Sequence, residues 1–159
     1  MGSIMEDSLV ASWIDKAQIV ELVCRFGVAI DQRNWEQFHA LFADSVEFDY
    51  SSIGDVASVL SPDEIVENAK GLFKGFQATQ HVITNHQTEV SDDTATCLSY
   101  IRAMHILPND EGEPWFEIGG YYNSNLMRVD AAWKIKSWKF SVYWSRGNDR
   151  LFELGKKNA

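Results

Sequence analysis

Apolar residues recur at helical spacing in the first half of the chain and alternate with polar ones in the second. In "SWIDKAQIVELVCRFGVAID", Ile19, Val23, Phe26 and Ile30 share one face, with Val20 and Gly27 beside them. This predicts a first helix that opens at Ser12 as N-cap, with Asp15 three residues on as a capping-box partner. "NWEQFHALFAD" predicts a second helix, capped by Asn34, with Trp35, Phe38 and Phe42 on one face. "SPDEIVENAKGLFKG" predicts a third, in which Ser61 caps, Pro62 takes the first helical position, Glu64 closes the box and Gly75 ends the helix. Between the second and third, "SVEFDYSS" alternates Val46, Phe48 and Tyr50 as a short strand would.

The second half carries the strand signals. "ATQHVITNHQTEV" runs to a polar turn at "SDD", "TATCLSYIRAMHIL" to "PNDEGEP", "WFEIGGYYNSNLMRV" to "DA", and "AWKIKSWKFSVYW" follows. The last three strands predict an antiparallel meander, and Gly119 with Gly120 predict a bulge where it bends. Three helices followed by a strongly curved, mixed or antiparallel sheet give an α+β fold, a cone-shaped α+β barrel with a pocket between the layers. No repeat or linker divides the 159 residues, so one domain is expected over 1–159, with its core at about 12–146 and short tails.

Composition narrows the partners. Apolar residues make up 45% of the chain, and six Trp and nine Phe supply a large core. The formal net charge is −9 and the only basic run is the tail "GKKNA", so neither nucleic acid nor an anionic membrane is an expected partner. Cys24 and Cys97 have no paired spacing and are expected as free thiols. "MGSIMEDSLV" lacks a basic, signal-like start, and no apolar run approaches the ~20 residues of a membrane span, so a cytoplasmic protein is expected.

The candidate chemistry is sparse. Asp31 ends an apolar helix at the terminus where the dipole disfavours an acid, so it is either a solvated helix-end residue or a functional one. His81 and His86, five apart on one strand, are expected on opposite faces and so unable to share a metal. His105 lies in a row with Ala95, Cys97, Ser99, Ile101 and Ala103, as on an inner wall. Asn123 and Asn125 share a face with Tyr121 and Met127 and need partners if buried. Trp144 and Arg146 end the last strand, and Arg146 can pair with an acid. His39 is expected on the surface or in packing. Phosphate loops and zinc-protease motifs are missing, so no cofactor and no metal are expected.

Three stretches carry a resemblance: "IVELVCRFGVAIDQRNWEQFHALFADSVEFDY", "TQHVITNH" and "AWKIKSWKF". Together with the order of elements, they resemble the SnoaL-like family of the nuclear transport factor two-like superfamily. The likeness is nearest the branch of scytalone dehydratase, hexachlorocyclohexane dehydrochlorinase and bile-acid dehydratase. It implies that Asp31 and His81 form a catalytic dyad, with Tyr50 as a catalytic phenol. It also implies that His105, Asn123, Asn125 and Arg146 meet the substrate, and Trp144, next to Arg146 on the last strand, is expected to meet it too. A second tyrosine of scytalone dehydratase falls at Ile30 here.

The expected function is a cofactor-independent lyase of dehydratase type, acting on a small hydrophobic, cyclic or polyketide-like molecule. An isomerase or cyclase moving a proton in the same pocket is the alternative, and a non-catalytic ligand-binding domain is another. The outer sheet face, expected to bear Tyr100, Tyr122 and Trp133, is apolar, and the resemblance implies a homodimer or homotrimer.

Overall fold

The computed structural model describes residues 2–157, with side chains from Glu6 onward; Met1, Asn158 and Ala159, the outermost residues of the expected tails, lie outside that range. Helices α1 (Gly2–Asp31), α2 (Trp35–His39) and α3 (Pro62–Phe73) pack with a six-stranded mixed sheet. Its strands are β1 (Phe42–Asp49), β2 (Ser58–Leu60), β3 (Ala78–Ser91), β4 (Thr94–Ile106), β5 (Trp115–Val129) and β6 (Ala132–Gly147). A last helix, α4 (Leu151–Lys157), follows β6. The order β2-β1-β6-β5-β4-β3 leaves β2 and β3 as edges, so the α+β cone is open rather than a closed barrel. β1 runs parallel to β6, and every other pairing is antiparallel. Asp130 and Ala131 both have positive φ, which gives the twist that a tight β5–β6 hairpin needs.

Two helices differ from the expectation. α1 already runs from Gly2, so Ser12 lies inside it and caps nothing. Asp15 instead accepts hydrogen bonds from Arg128 and from the Trp133 indole, tying α1 to the β5–β6 hairpin. α2 stops after five residues, although the Asn34 cap forms as expected. Phe42 belongs to β1, because the Leu41 carbonyl is taken by the Ile135 amide and the chain enters the sheet. α3 keeps its full capping box at Ser61 and Glu64. α4 lies in the expected C-terminal tail, yet Leu151 and Leu154 are buried and fix it to the body.

The core is aromatic. Phe26 of α1 stacks on Trp138 of β6 with ring centroids 4.0 Å apart, and Tyr122 and Phe38 close around the pair. Tyr122 and Trp133 are therefore inside, not on the outer face; Tyr100 is half-exposed on it as expected. Alternation along a strand tells which residues share a face. It does not tell which face α1 covers.

Bulges reset that alternation. The β5–β6 ladder shifts at Gly119–Gly120, where a bend is expected. β3 shifts between Thr84 and Gln87, with Asn85 at φ 56. The extra residue turns His86 to the same inner face as His81, contrary to simple period-two counting. His86 Nε2 lies 3.4 Å from the Cys24 sulfur. Both cysteines are free.

Candidate active site

α1 and β3 meet where neither has bulk. A Cβ on Gly27 would stand 2.9 Å from the Cβ of His81, so only glycine allows this approach. One turn later Asp31, the last residue of α1, reaches the same strand. Its Oδ1 accepts from His81 Nδ1 at 2.7 Å and from the Thr79 hydroxyl at 2.9 Å. Its Oδ2 accepts from the His81 backbone amide at 2.7 Å. Burial pushes the Asp31 carboxyl up, but the bonds and charge of His81 and the Thr79 bond outweigh it, and the carboxyl titrates below its ordinary range. The His81 side chain is only 5% exposed. The acid at the end of α1 is thus a sheet-bound carboxylate rather than a solvated helix end.

His105 stands across from the pair, with its ring 5.8 Å from that of His81. Its Nδ1 is 3.3 Å from the Phe116 carbonyl, which can only accept, so Nδ1 carries the proton there. Burial first, then the charge of His81, pushes the His105 imidazolium down to about 3. His105 is therefore neutral, its one N–H is engaged, and it is placed to accept rather than donate. Phe73 stacks parallel to it, and Phe152 of α4 packs edge-on at 4.8 Å. α4 thus covers the His105 side of the site.

Tyr50 follows β1 and stacks on Phe48 at 4.9 Å. Its hydroxyl faces Tyr122 and the Trp138 indole; burial raises both phenols, so both stay protonated. The neighbouring Tyr50 and, least of the causes, the charge of Asp31 raise Tyr122 further. The Ser99 hydroxyl on the same inner wall is buried without a partner.

The remaining candidates lie elsewhere. Asn123 and Asn125 are exposed on the outer face, because Tyr122, Ser124 and Leu126 are the residues that α1 and the core cover. Trp144 and Arg146 are also on the outer face. Trp144 lies flat against Gly119, where a side chain would collide with it. Arg146 donates to Glu117 at 2.6 Å, and Arg102 bonds the same carboxylate, which is 2% exposed. These four residues do not line the site. Arg33, Thr79, Tyr122 and Phe152 do touch its members and were not expected; Thr79 alone shares the strand parity of His81 and could have been found by it. His39 is exposed and pairs with Asp63.

A curved sheet with helices packed across it has counterparts among known proteins. Residues 11–139 match the family model described as a SnoaL-like domain. The chain belongs to the SnoaL-like family. Among relatives, the scytalone dehydratase of Pyricularia oryzae is 25% identical over 167 aligned positions, covering 99% of this chain and 97% of that protein. The Kfla4162 protein of Kribbella flavida superposes with a TM-score of 0.84 at 24% identity, covering 89% of this chain and 99% of that one. The hexachlorocyclohexane dehydrochlorinase LinA-type3 of Novosphingobium barchaimii gives 0.75 at 17% identity, with 88% and 94% covered. At these identities the two structures speak for the SnoaL-like fold alone. Among the described residues, no helix is long and apolar enough to cross a membrane.

Proposed function

We propose that this SnoaL-like protein is a cofactor-independent lyase of dehydratase type, acting on a small hydrophobic, cyclic or polyketide-like molecule. The 2.7 Å contact between Asp31 and His81 carries the reading. A carboxylate on Nδ1 leaves Nε2 as the base and stabilises the imidazolium formed when it takes a proton. His81 removes a proton from a carbon acidified by a neighbouring carbonyl. The C–H electrons become the new double bond and the adjacent C–O bond breaks. Tyr50, held protonated by burial, gives its proton to the departing hydroxide, which leaves as water. The proton on His81 then returns to the phenolate and resets the site. A positioned base supplies about 10²–10⁴ in rate, with orientation and exclusion of water supplying the rest. The relative named scytalone dehydratase supports this class of reaction.

The test is mass spectrometry of a panel of hydroxylated cyclic ketones incubated with the protein and with His81→Ala. A product lighter by one water, formed only with intact His81, is expected. A product of unchanged mass points to an isomerase or cyclase. A protein in which His81→Ala changes nothing is a binding domain, and the proposal falls.

A further inference from the structure

Arg33 follows α1 with φ 55, the left-handed region. Its amide bonds the Ile30 carbonyl at 3.0 Å and the Asn34 amide bonds that of Ala29 at 2.9 Å, the paired bonds that end a helix through a left-handed residue. Such a position favours glycine, because a Cβ is strained there. The arginine side chain makes contacts that glycine could not. Nη1 donates to the Ile30 carbonyl at 2.6 Å and to the Thr79 hydroxyl oxygen at 2.9 Å, and Nη2 donates to the Phe73 carbonyl at 3.3 Å. One guanidinium thus joins the end of α1, strand β3 and the end of α3.

The polarity of these bonds has a consequence at His81. A guanidinium has donors only, so Thr79 Oγ1 must accept from it. A hydroxyl has one proton, and here it goes to Asp31 Oδ1. Asp31 is then met by donors on both oxygens: Thr79 and the His81 ring at Oδ1, and the His81 amide at Oδ2. A carboxylate surrounded by donors must accept throughout, so the shared proton belongs to His81 Nδ1 and the lone pair to Nε2. We infer that Arg33 is a positioning residue which, through Thr79 and Asp31, fixes the tautomer of His81. Without the guanidinium, the Thr79 hydroxyl is free to turn away and Asp31 loses one of the bonds that aim it.

This inference rests on the Asp31–His81 dyad of the proposed function, but its test reads the imidazole directly and needs no substrate. Nitrogen-15 spectra of histidine-labelled protein, with His81 assigned through His81→Ala, report which ring nitrogen carries the proton. The wild type should show a protonated Nδ1. Arg33→Gly relieves the backbone strain and so should fold; it and Thr79→Val should shift His81 toward the other tautomer, while Thr79→Ser should keep the wild-type pattern. Once a substrate is in hand, kcat should fall in Arg33→Gly by about tenfold or more with KM little changed, short of the ~10⁴ seen when a triad tautomer is wrong. Unchanged His81 signals in Arg33→Gly, whatever Thr79→Val does, would reduce Arg33 to a helix cap and overturn the inference. A tautomer shift in a protein whose function survives His81→Ala would uphold it and sink the lyase reading instead.

Discussion

Replacing Gly27 by alanine should damage the dyad although the mutated position touches no reacting atom. The added methyl would stand 2.9 Å from His81 Cβ, 3.3 Å from Ile83 Cδ1 and 3.4 Å from the His81 carbonyl. Carbon atoms rest at about 3.5–4.0 Å, so α1 must lift from β3 by roughly 0.6 Å. The nearest atom is fixed to the strand backbone and cannot swing away. Alanine gains roughly 1 kcal/mol of helix propensity, whereas overpacking costs about 1–3 kcal/mol. Net stability should therefore fall by about 0–2 kcal/mol. The dyad is less forgiving. Asp31 rides on the same helix, one turn on, and its bonds to the His81 ring and amide are both 2.7 Å. A lift of that size moves them past the ~3.2 Å limit of a good N–H···O bond. Urea unfolding gives the first quantity, and the nitrogen-15 spectrum of His81, or turnover once a substrate is known, gives the second. A variant as stable as wild type or more so, with His81 unchanged, would refute the claim that this glycine sets the helix–strand approach.

Other outcomes follow from the same geometry. The Asp31 carboxyl titrates below its usual 3.8, so its contribution is in place above that pH and is lost as pH falls through the folded-state value. The stability gap between wild type and Asp31→Asn, followed by chemical unfolding, should accordingly be constant near neutrality and close below about pH 4; a gap that widens in acid contradicts the ionised acceptor. Asn123→Ala and Asn125→Ala should leave turnover within about twofold, since surface changes away from a site rarely matter; a large loss in kinetics would put these amides back in the site. The outer face exposes Tyr100, Tyr143 and Trp144 around the Arg102–Glu117–Arg146 cluster, a composition typical of interface centres. We propose that this face joins copies of the chain as a dimer or trimer. Light scattering should show Tyr143→Glu as a monomer, and a wild type already monomeric at micromolar concentration would end that reading.

Local patterns along the chain specify the class of each large element. The cap of α3, the strands β3 to β6 and the bulge at Gly119–Gly120 follow from local signals: a Ser-Pro-x-Glu start, period-two alternation and paired glycines. They also mark Asp31 as an odd residue for its place, and put His105 in one row with Ala103 and Ser99. These are properties of a segment and its own backbone bonds. Where α2 stops was decided by tertiary structure, because β6 offers Leu41 a partner that outweighs one more helical turn. Which face of β5 is inside was decided there too, since Asn123 and Tyr122 alternate equally well either way until Phe26 and Trp138 pack against one of them. The bulge at Asn85, the covering of His105 by Phe152 and the reach of Arg33 to Thr79 depend on chain segments brought together from far apart in sequence. Local spacing sets which side chains can share a surface. Only the packed body sets which surface is buried and what each polar group on it must bond, and there the chemistry of Asp31 and His81 is fixed.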